Sequence, residues 1–218
     1  MPAADARRAE RRARLHGLYA VACGPDPVAQ ARAAIAGGAE VVQLRLKAVP
    51  ASEILEAARR LVAEARGRAL VIVNDRPDVA LLAEADGVHL GDDDLPVAEA
   101  RRLLGPSMLI GRSTRTLADA RAALAAGADH VGFGPIFATR TKSIEVPPRG
   151  LAALQEVAAA IAAPVVAIGG IDEGSIGEVA AAGAAAAAVV ADLFSNGDVR
   201  TRAERLSAAF ARGGGGRP

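Results

Sequence analysis

Hydrophobic residues along this chain fall into short runs, each followed by a longer segment with helical spacing. Eight runs stand out, at Leu18–Val21, Val41–Leu44, Leu70–Val73, Gly87–Leu90, Met108–Gly111, His130–Phe133, Val165–Ile168 and Ala186–Val190. Short aliphatic runs bounded by polar residues or glycine read as strands buried on both faces of a parallel sheet. Segments near 27–37, 51–66, 77–85, 96–104, 117–126, 149–162, 174–182 and 199–211 have helical character. Strand and helix alternating every ~20–35 residues predict a parallel sheet covered by helices. Eight repeats in 218 residues predict a single (β/α)₈ TIM barrel, an α/β fold, rather than an open doubly wound sheet. The dinucleotide fingerprint is absent, since Gly37-Gly38 ends a helix and no GxGxxG follows the first strand.

One βαβ unit organises the candidate chemistry. Leu70–Val73 stops at Asn74-Asp75, and after the helical segment Val88-His89-Leu90 stops at Gly91-Asp92-Asp93-Asp94. A crossover makes the two strands parallel, so Asp75 and Asp94 emerge side by side at their carboxyl ends. Two carboxylates on one rim suit Mg²⁺, which takes one or two protein carboxylates and fills its other positions with water and phosphate oxygens. Both also suit helix capping, before Pro77 and before Leu95-Pro96, and at this point the two readings stand level.

Barrel enzymes carry their chemistry on the loops after the strands. Those positions hold Gln43, Arg45 and Lys47, then Asn74 and Asp75, Asp94, and Ser113. A long loop from Pro135 to Pro148 carries Thr139, Arg140, Thr141 and Lys142, and the last two strands end at Gly169-Gly170 and Val190-Ala191. Cations, hydroxyls and accessible backbone together predict a phosphorylated substrate. Of 26 basic residues only Lys47 and Lys142 are lysines, both on the rim, where a compact point charge differs from a guanidinium. Gly169-Gly170 stands where barrels bind phosphate on backbone N–H groups and a helix start. A loop as long as 135–148 reads as a lid or binding loop. His89 reads as a core histidine, and His16 and His130 as structural. Cys23 has no histidine placed to activate it as a nucleophile. Tyr19, the only tyrosine, is expected near the barrel mouth.

Composition narrows the partners. A net charge of +1 gives no reason to expect nucleic acid or an anionic membrane, and no apolar run is long enough for a transmembrane helix. A single cysteine excludes an internal disulfide and fits a reducing cytoplasm. Residues 1–14, with five arginines, are expected to be a flexible, frayed or loosely helical basic extension, with the barrel over 15–211 and a disordered glycine-rich tail over 212–218. Oligomeric state is left open, a homo-oligomer included.

Six motifs in order resemble the thiamine phosphate synthase family over roughly residues 15–210: QLRLK at 43–47, VNDRPD at 73–78, ADGVHLGDDDLP at 85–96, IGRST at 110–114, GPIFATRTK at 134–142 and AIGGI at 167–171. The resemblance implies two small-molecule substrates. An aminopyrimidine diphosphate is joined to a thiazole phosphate, or its carboxylated form, and pyrophosphate leaves in a dissociative step. It implies that Gln43, Arg45, Lys47, Asn74, Ser113 and Lys142 hold the pyrimidine diphosphate, with Arg45, Lys47, Ser113 and Lys142 carrying the catalysis. It implies Mg²⁺ on Asp75 and Asp94, and the thiazole phosphate on Thr139, Arg140, Thr141, Gly170, Val190 and Ala191. The pattern departs at Leu46, where the family has glutamate, and at Asp92, where it has glutamine. It departs again at Ala186 and Ala191, in place of a glycine and a serine. A lost serine hydroxyl removes a hydrogen bond to a charged group worth about 1.5–3 kcal/mol. Two alternatives accompany this reading. One is a thiazole tautomerase of the same barrel family, in which a histidine is expected at the position of Pro135. The other is a non-catalytic paralogue that binds thiamine precursors.

Overall fold

The computed structural model describes residues 3–65, 67–139, 146–195 and 197–214. The chain runs α1 (Ala3–Ala13), β1 (Gly17–Ala22), α2 (Pro27–Ala36), β2 (Val41–Leu44), α3 (Ala51–Ala65), β3 (Leu70–Asn74), α4 (Pro77–Leu82) and β4 (Gly87–Leu90). It continues α5 (Val97–Leu104), β5 (Leu109–Thr114), α6 (Leu117–Ala125), β6 (His130–Phe133), α7 (Gly150–Ala160) and β7 (Val165–Ile168). It ends with α8 (Ile176–Ala181), β8 (Ala186–Val189), α9 (Ala191–Phe194) and α10 (Val199–Arg212). Every neighbouring pair of strands is parallel, and β8 closes on β1. The expected eight-stranded barrel is what forms. Its fifth strand runs on through Ser113 and Thr114, so Ser113 lies within the sheet rather than after it.

Period-2 pleating divides each strand between two cores. Leu18, Val42, Leu44, Val71, Val73, Val88 and Ile110 face outward into a core shared with the helices. Tyr19, Val41, Leu70, Ile72, Leu109, Val166, Ala186 and Ala188 face inward and fill the barrel axis. Because both faces are buried, the strands read in sequence as unbroken apolar runs. Interior volume is balanced by small residues: Tyr19 stands in register with Ala188, where a larger β8 side chain would compete for the same space.

Two histidines also point inward. Gly111 is in register with both His89 and His130, and a Cβ there would lie 2.2 Å from His130 Nε2. Glycine at 111 therefore makes the room that the two rings occupy, with centroids 5.9 Å apart. His130 is fully buried, and neither of its ring nitrogens has a hydrogen-bond partner among the described residues.

Where a frayed or loosely helical extension is expected, residues 3–13 form a helix seated on the barrel. Helix α1 lies across the amino ends of β3 to β6. Arg11 pairs with Asp86 at 2.9 Å and donates to the Ser107 carbonyl at 2.9 Å, and Arg14 donates to the Gly67 carbonyl at 2.6 Å. Arg8 lies 3.6 Å from Asp129. Three of the five arginines that look like a solvated charge run, Arg8, Arg11 and Arg14, are thus set against acids and carbonyls at strand starts, and Leu15 follows them into the inner core. No helix among the described residues is long and apolar enough to cross a membrane.

Burial, with the neighbouring His89, pushes the His130 pKa down to about 3. The unfolded chain then binds one more proton between pH ~6.5 and ~3, so the stability tied to neutral His130 is complete above that window and lost as pH falls. Urea unfolding at pH 5 is expected to give a free energy lower than at pH 7 by about 2 kcal/mol from this group. His130→Leu should flatten that part of the dependence. An unchanged slope would mean that His130 keeps its proton in the fold.

Candidate active site

The carboxyl ends of the strands open into one cavity of about 880 Å³. Gln43, Arg45, Lys47, Asn74, Asp75, Asp94, Ser113, Thr139, Gly170, Val190 and Ala191 all line it. The structure therefore brings together every described residue expected on the rim. Arg140, Thr141 and Lys142 lie outside the described residues.

Asp75 and Asp94 meet as the βαβ geometry requires. The Asp75 N–H donates to the His89 carbonyl at 2.9 Å, which holds the residue after β3 against β4. Asp75 adopts φ +62°, a left-handed conformation that a residue with a Cβ takes only where its surroundings impose it. Asp94 Oδ2 accepts the Gly91 N–H at 2.6 Å. Neither acid caps a helix: the N-cap of α4 is Arg76 and that of α5 is Pro96, without a side-chain bond in either. Of the two readings left level by the sequence, capping is the one the structure removes.

The two carboxyls act on each other electrostatically, and their proton affinities move apart. Burial alone would raise Asp75, but the neighbouring Asp94 and the ammonium of Lys47, with Arg45 beyond, hold it below the usual carboxylate range. Burial and the Asp75 charge push Asp94 up. Lys47 forms an ion pair with Asp75 Oδ2. Two adjacent carboxyls must share either a proton or a cation. Their hard oxygens fit Mg²⁺, and no cluster of three or more His, Cys, Asp or Glu completes a protein-only cage among the described residues. A cation here would complete its shell with water and ligand oxygens.

Beside the acid pair stand groups able to read a ring. Gln43 Nε2 donates to the Tyr19 hydroxyl at 2.7 Å, which orients the amide, and burial keeps that phenol protonated. Asn74 Nδ2 is buried with no partner among the described residues, a donor free for a ligand. His89 Nε2 lies 3.0 Å from Ser113 Oγ. Here the sequence reading is corrected: His89 is not a core residue but lines the cavity, because β4 and β5 pair with Gly111 opposite it. Asp92 also lines it, paired with Arg115 at 2.5 Å and with Arg112 at 3.6 Å. The pleat that places Gly87 inward places His89 inward too, and the register with Gly111 is what fixes that face.

On the opposite side the loops after β6, β7 and β8 bring backbone to the cavity. The Ile136 N–H donates to the Ile168 carbonyl at 2.8 Å and the Phe137 N–H to the Gly169 carbonyl at 3.1 Å. Gly170 has φ +67°, and a Cβ on it would stand 2.5 Å from the Ala138 carbonyl oxygen. Glycine at 170 is therefore required by the approach of the β6 loop as well as by its own backbone. The helix start expected at the glycine pair is absent, since α8 begins only at Ile176, whereas α9 begins at Ala191 itself.

With this geometry in place, comparison with known proteins is informative. A family model described as thiamine monophosphate synthase matches residues 18–193. A thiamine-phosphate synthase of Anaeromyxobacter dehalogenans is 64% identical over 98% of this chain and 96% of its own length. One from Myxococcus xanthus is 50% identical over 82% of this chain and 83% of its own. The solved thiamine phosphate pyrophosphorylase of Pyrococcus furiosus superposes with a TM-score of 0.85 at 34% identity, covering 93% of this chain and 98% of that one.

The acid pair gives a direct test that needs no substrate. Asp94→Asn removes the carboxyl forced upward by its neighbour, and the melting temperature without metal should rise. The further rise on adding Mg²⁺ to the unaltered protein should vanish in the variant. A variant that Mg²⁺ still stabilises equally would take Asp94 out of the cation site.

Proposed function

The chain belongs to the thiamine monophosphate synthase family, and from that premise we propose that this enzyme joins an aminopyrimidine diphosphate to a thiazole phosphate in the cavity at the barrel mouth. The observation that carries the reading is the Asp75–Asp94–Lys47 constellation, a cation site and a fixed positive charge on one wall of that cavity. The relatives it matches are synthases, and neither a tautomerase nor a non-catalytic binding protein finds support among them.

The division of labour follows from the chemistry of the two walls. Gln43, oriented by Tyr19, offers an amide oxygen and a second N–H, the donor and acceptor pair that complements an aminopyrimidine edge. Asn74 Nδ2 and Ser113 Oγ add hydrogen bonds on the same wall. Arg45 and Lys47 neutralise the leaving diphosphate, and we assign Lys142 the same task by the family resemblance. When bound, Mg²⁺ held by Asp75 and Asp94 supplies further charge neutralisation to the departing pyrophosphate.

As the C–O bond to diphosphate breaks, its electron pair leaves with the pyrophosphate, and the electron-rich aminopyrimidine ring stabilises the methylene cation. The thiazole nitrogen then donates its lone pair to form the C–N bond. No proton is removed in forming it, so no general base is needed. The protein's contribution is placement and charge: holding two substrates in line is worth up to about 7–11 kcal/mol for ideal alignment. Gly170, Val190 and Ala191, with the loop carrying Thr139, Arg140 and Thr141, hold the thiazole phosphate largely through backbone N–H groups. We place the enzyme in a reducing cytoplasm, in keeping with the single exposed Cys23.

A coupled assay for pyrophosphate tests the whole reading. Release should require both substrates and stop on chelation, and Asp75→Ala should cut it beyond the ~10–100-fold typical of residues behind a metal ligand. Release from the pyrimidine substrate alone, or turnover in EDTA, would refute it. Ala191→Ser should lower the KM for thiazole phosphate by about tenfold, the effect of restoring one hydrogen bond to a charged group. An unchanged KM would show that backbone alone sets that contact.

A further inference from the structure

Arg202, near the start of α10, is shared by carboxylates from two different segments. Its Nη1 donates to Glu173 Oε2 at 2.6 Å, its Nε to Asp192 Oδ2 at 3.2 Å, and its Nη2 to Asp192 Oδ1. Asp192 Oδ2 also accepts the backbone N–H of Glu173 at 3.1 Å. Glu173 lies three residues beyond Gly170, and Asp192 directly follows Ala191. The cluster thus ties the loop after β7 to the first turn of α9, the helix that follows β8.

Its location poses an electrostatic problem. Asp192 and Asp172 both line the cavity beside Gly170 and Ala191. A bare carboxylate there would repel a phosphate. Asp172 is committed to Ser175, accepting its N–H at 2.9 Å and its hydroxyl at 2.7 Å. Asp192 is neutralised by the guanidinium, which takes both of its oxygens and still reaches Glu173. Only a planar fork can do this, since an ammonium offers one point charge. The side chains of Arg202 and Asp192 are 26% and 17% exposed, so solvent screens the pair incompletely.

We infer that Arg202 is a positioning residue for the thiazole-phosphate half of the site: it holds the two backbone segments in register and cancels the Asp192 charge that would otherwise face the phosphate. Arg202 touches no substrate itself. The inference rests on the placement of the thiazole phosphate at Gly170, Val190 and Ala191 given above.

Steady-state kinetics with both substrates varied separate the possibilities, because the pyrimidine diphosphate serves as an internal control. Arg202→Met should raise the KM for thiazole phosphate about tenfold, the order expected for an uncompensated charge several ångströms from a dianion. The KM for the pyrimidine diphosphate and kcat should stay within about twofold, since neither wall of that half-site changes. Adding Asp192→Asn to Arg202→Met should recover most of the lost affinity, and Arg202→Lys should fall between. Should Arg202→Met not fold, Arg202→Lys and Glu173→Gln carry the same KM comparison. A fall in kcat alone, an equal rise in both KM values, or no recovery in the double variant would overturn the inference. Gly170→Ala is the control on the premise. If it leaves the KM for thiazole phosphate unmoved, the placement of that substrate is wrong. If it raises that KM while Arg202→Met does not, the placement stands and the role of Arg202 fails.

Discussion

The pairing of β3 with β4 is the constraint from which the rest of the site follows. Parallel register sets Asn74 against His89, and the next backbone bond, from the Asp75 N–H to the His89 carbonyl, carries the pairing one residue past the strand. That bond fixes Asp75 in a left-handed conformation and brings its carboxyl to Asp94. Once two acids are forced together, a positive partner is needed, and Lys47 from the neighbouring β2 loop supplies it. The constellation is thus a consequence of sheet register, with the side chains chosen to suit it.

Space inside the barrel is allotted as tightly as charge on its rim. The inward-facing positions of eight strands cannot all be large. Gly111 yields to His89 and His130, and Ala188 stands beside Tyr19. The second of these decides chemistry, because Tyr19 is what orients Gln43. The first leaves His130 neutral in the core and carries His89 upward to Ser113. An alanine-rich β8 looks featureless in the sequence, yet it lets an aromatic ring reach the floor of the cavity.

Much of this was legible without coordinates, and what was missed has physical causes. Strand ends are set by local contrast between aliphatic and polar residues, so the rim from Gln43 to Ala191 could be read from run boundaries alone. His89 was misread because a single polar residue in a four-residue strand does not reveal which face it occupies. Only the register with Gly111 does. The seating of the N-terminal helix is not visible in sequence, because Arg8, Arg11 and Arg14 look solvated unless their partners are known. Asp86, Asp129 and the carbonyls of Gly67 and Ser107 come from four separate points along the chain. Local chemistry is visible in sequence, but pairing between distant segments is visible only in the fold.

The same distinction separates the two walls of the cavity. The wall built from β2 to β5 works through side chains, and these stand in short motifs that a sequence displays. The wall built from β6 to β8 works through backbone, whose shape depends on what lies behind it. Gly170 is held by the Ala138 carbonyl, and the segments bearing Glu173 and Asp192 are held by Arg202 from α10. On the proposed reading, a backbone anion site tolerates alanine at 191 in place of a hydroxyl. What it cannot tolerate is loss of the distant contacts that keep its loops in register and its carboxylates neutral. On the proposed reading, control over such a wall lies at residues remote from the ligand, and in this chain that residue is Arg202.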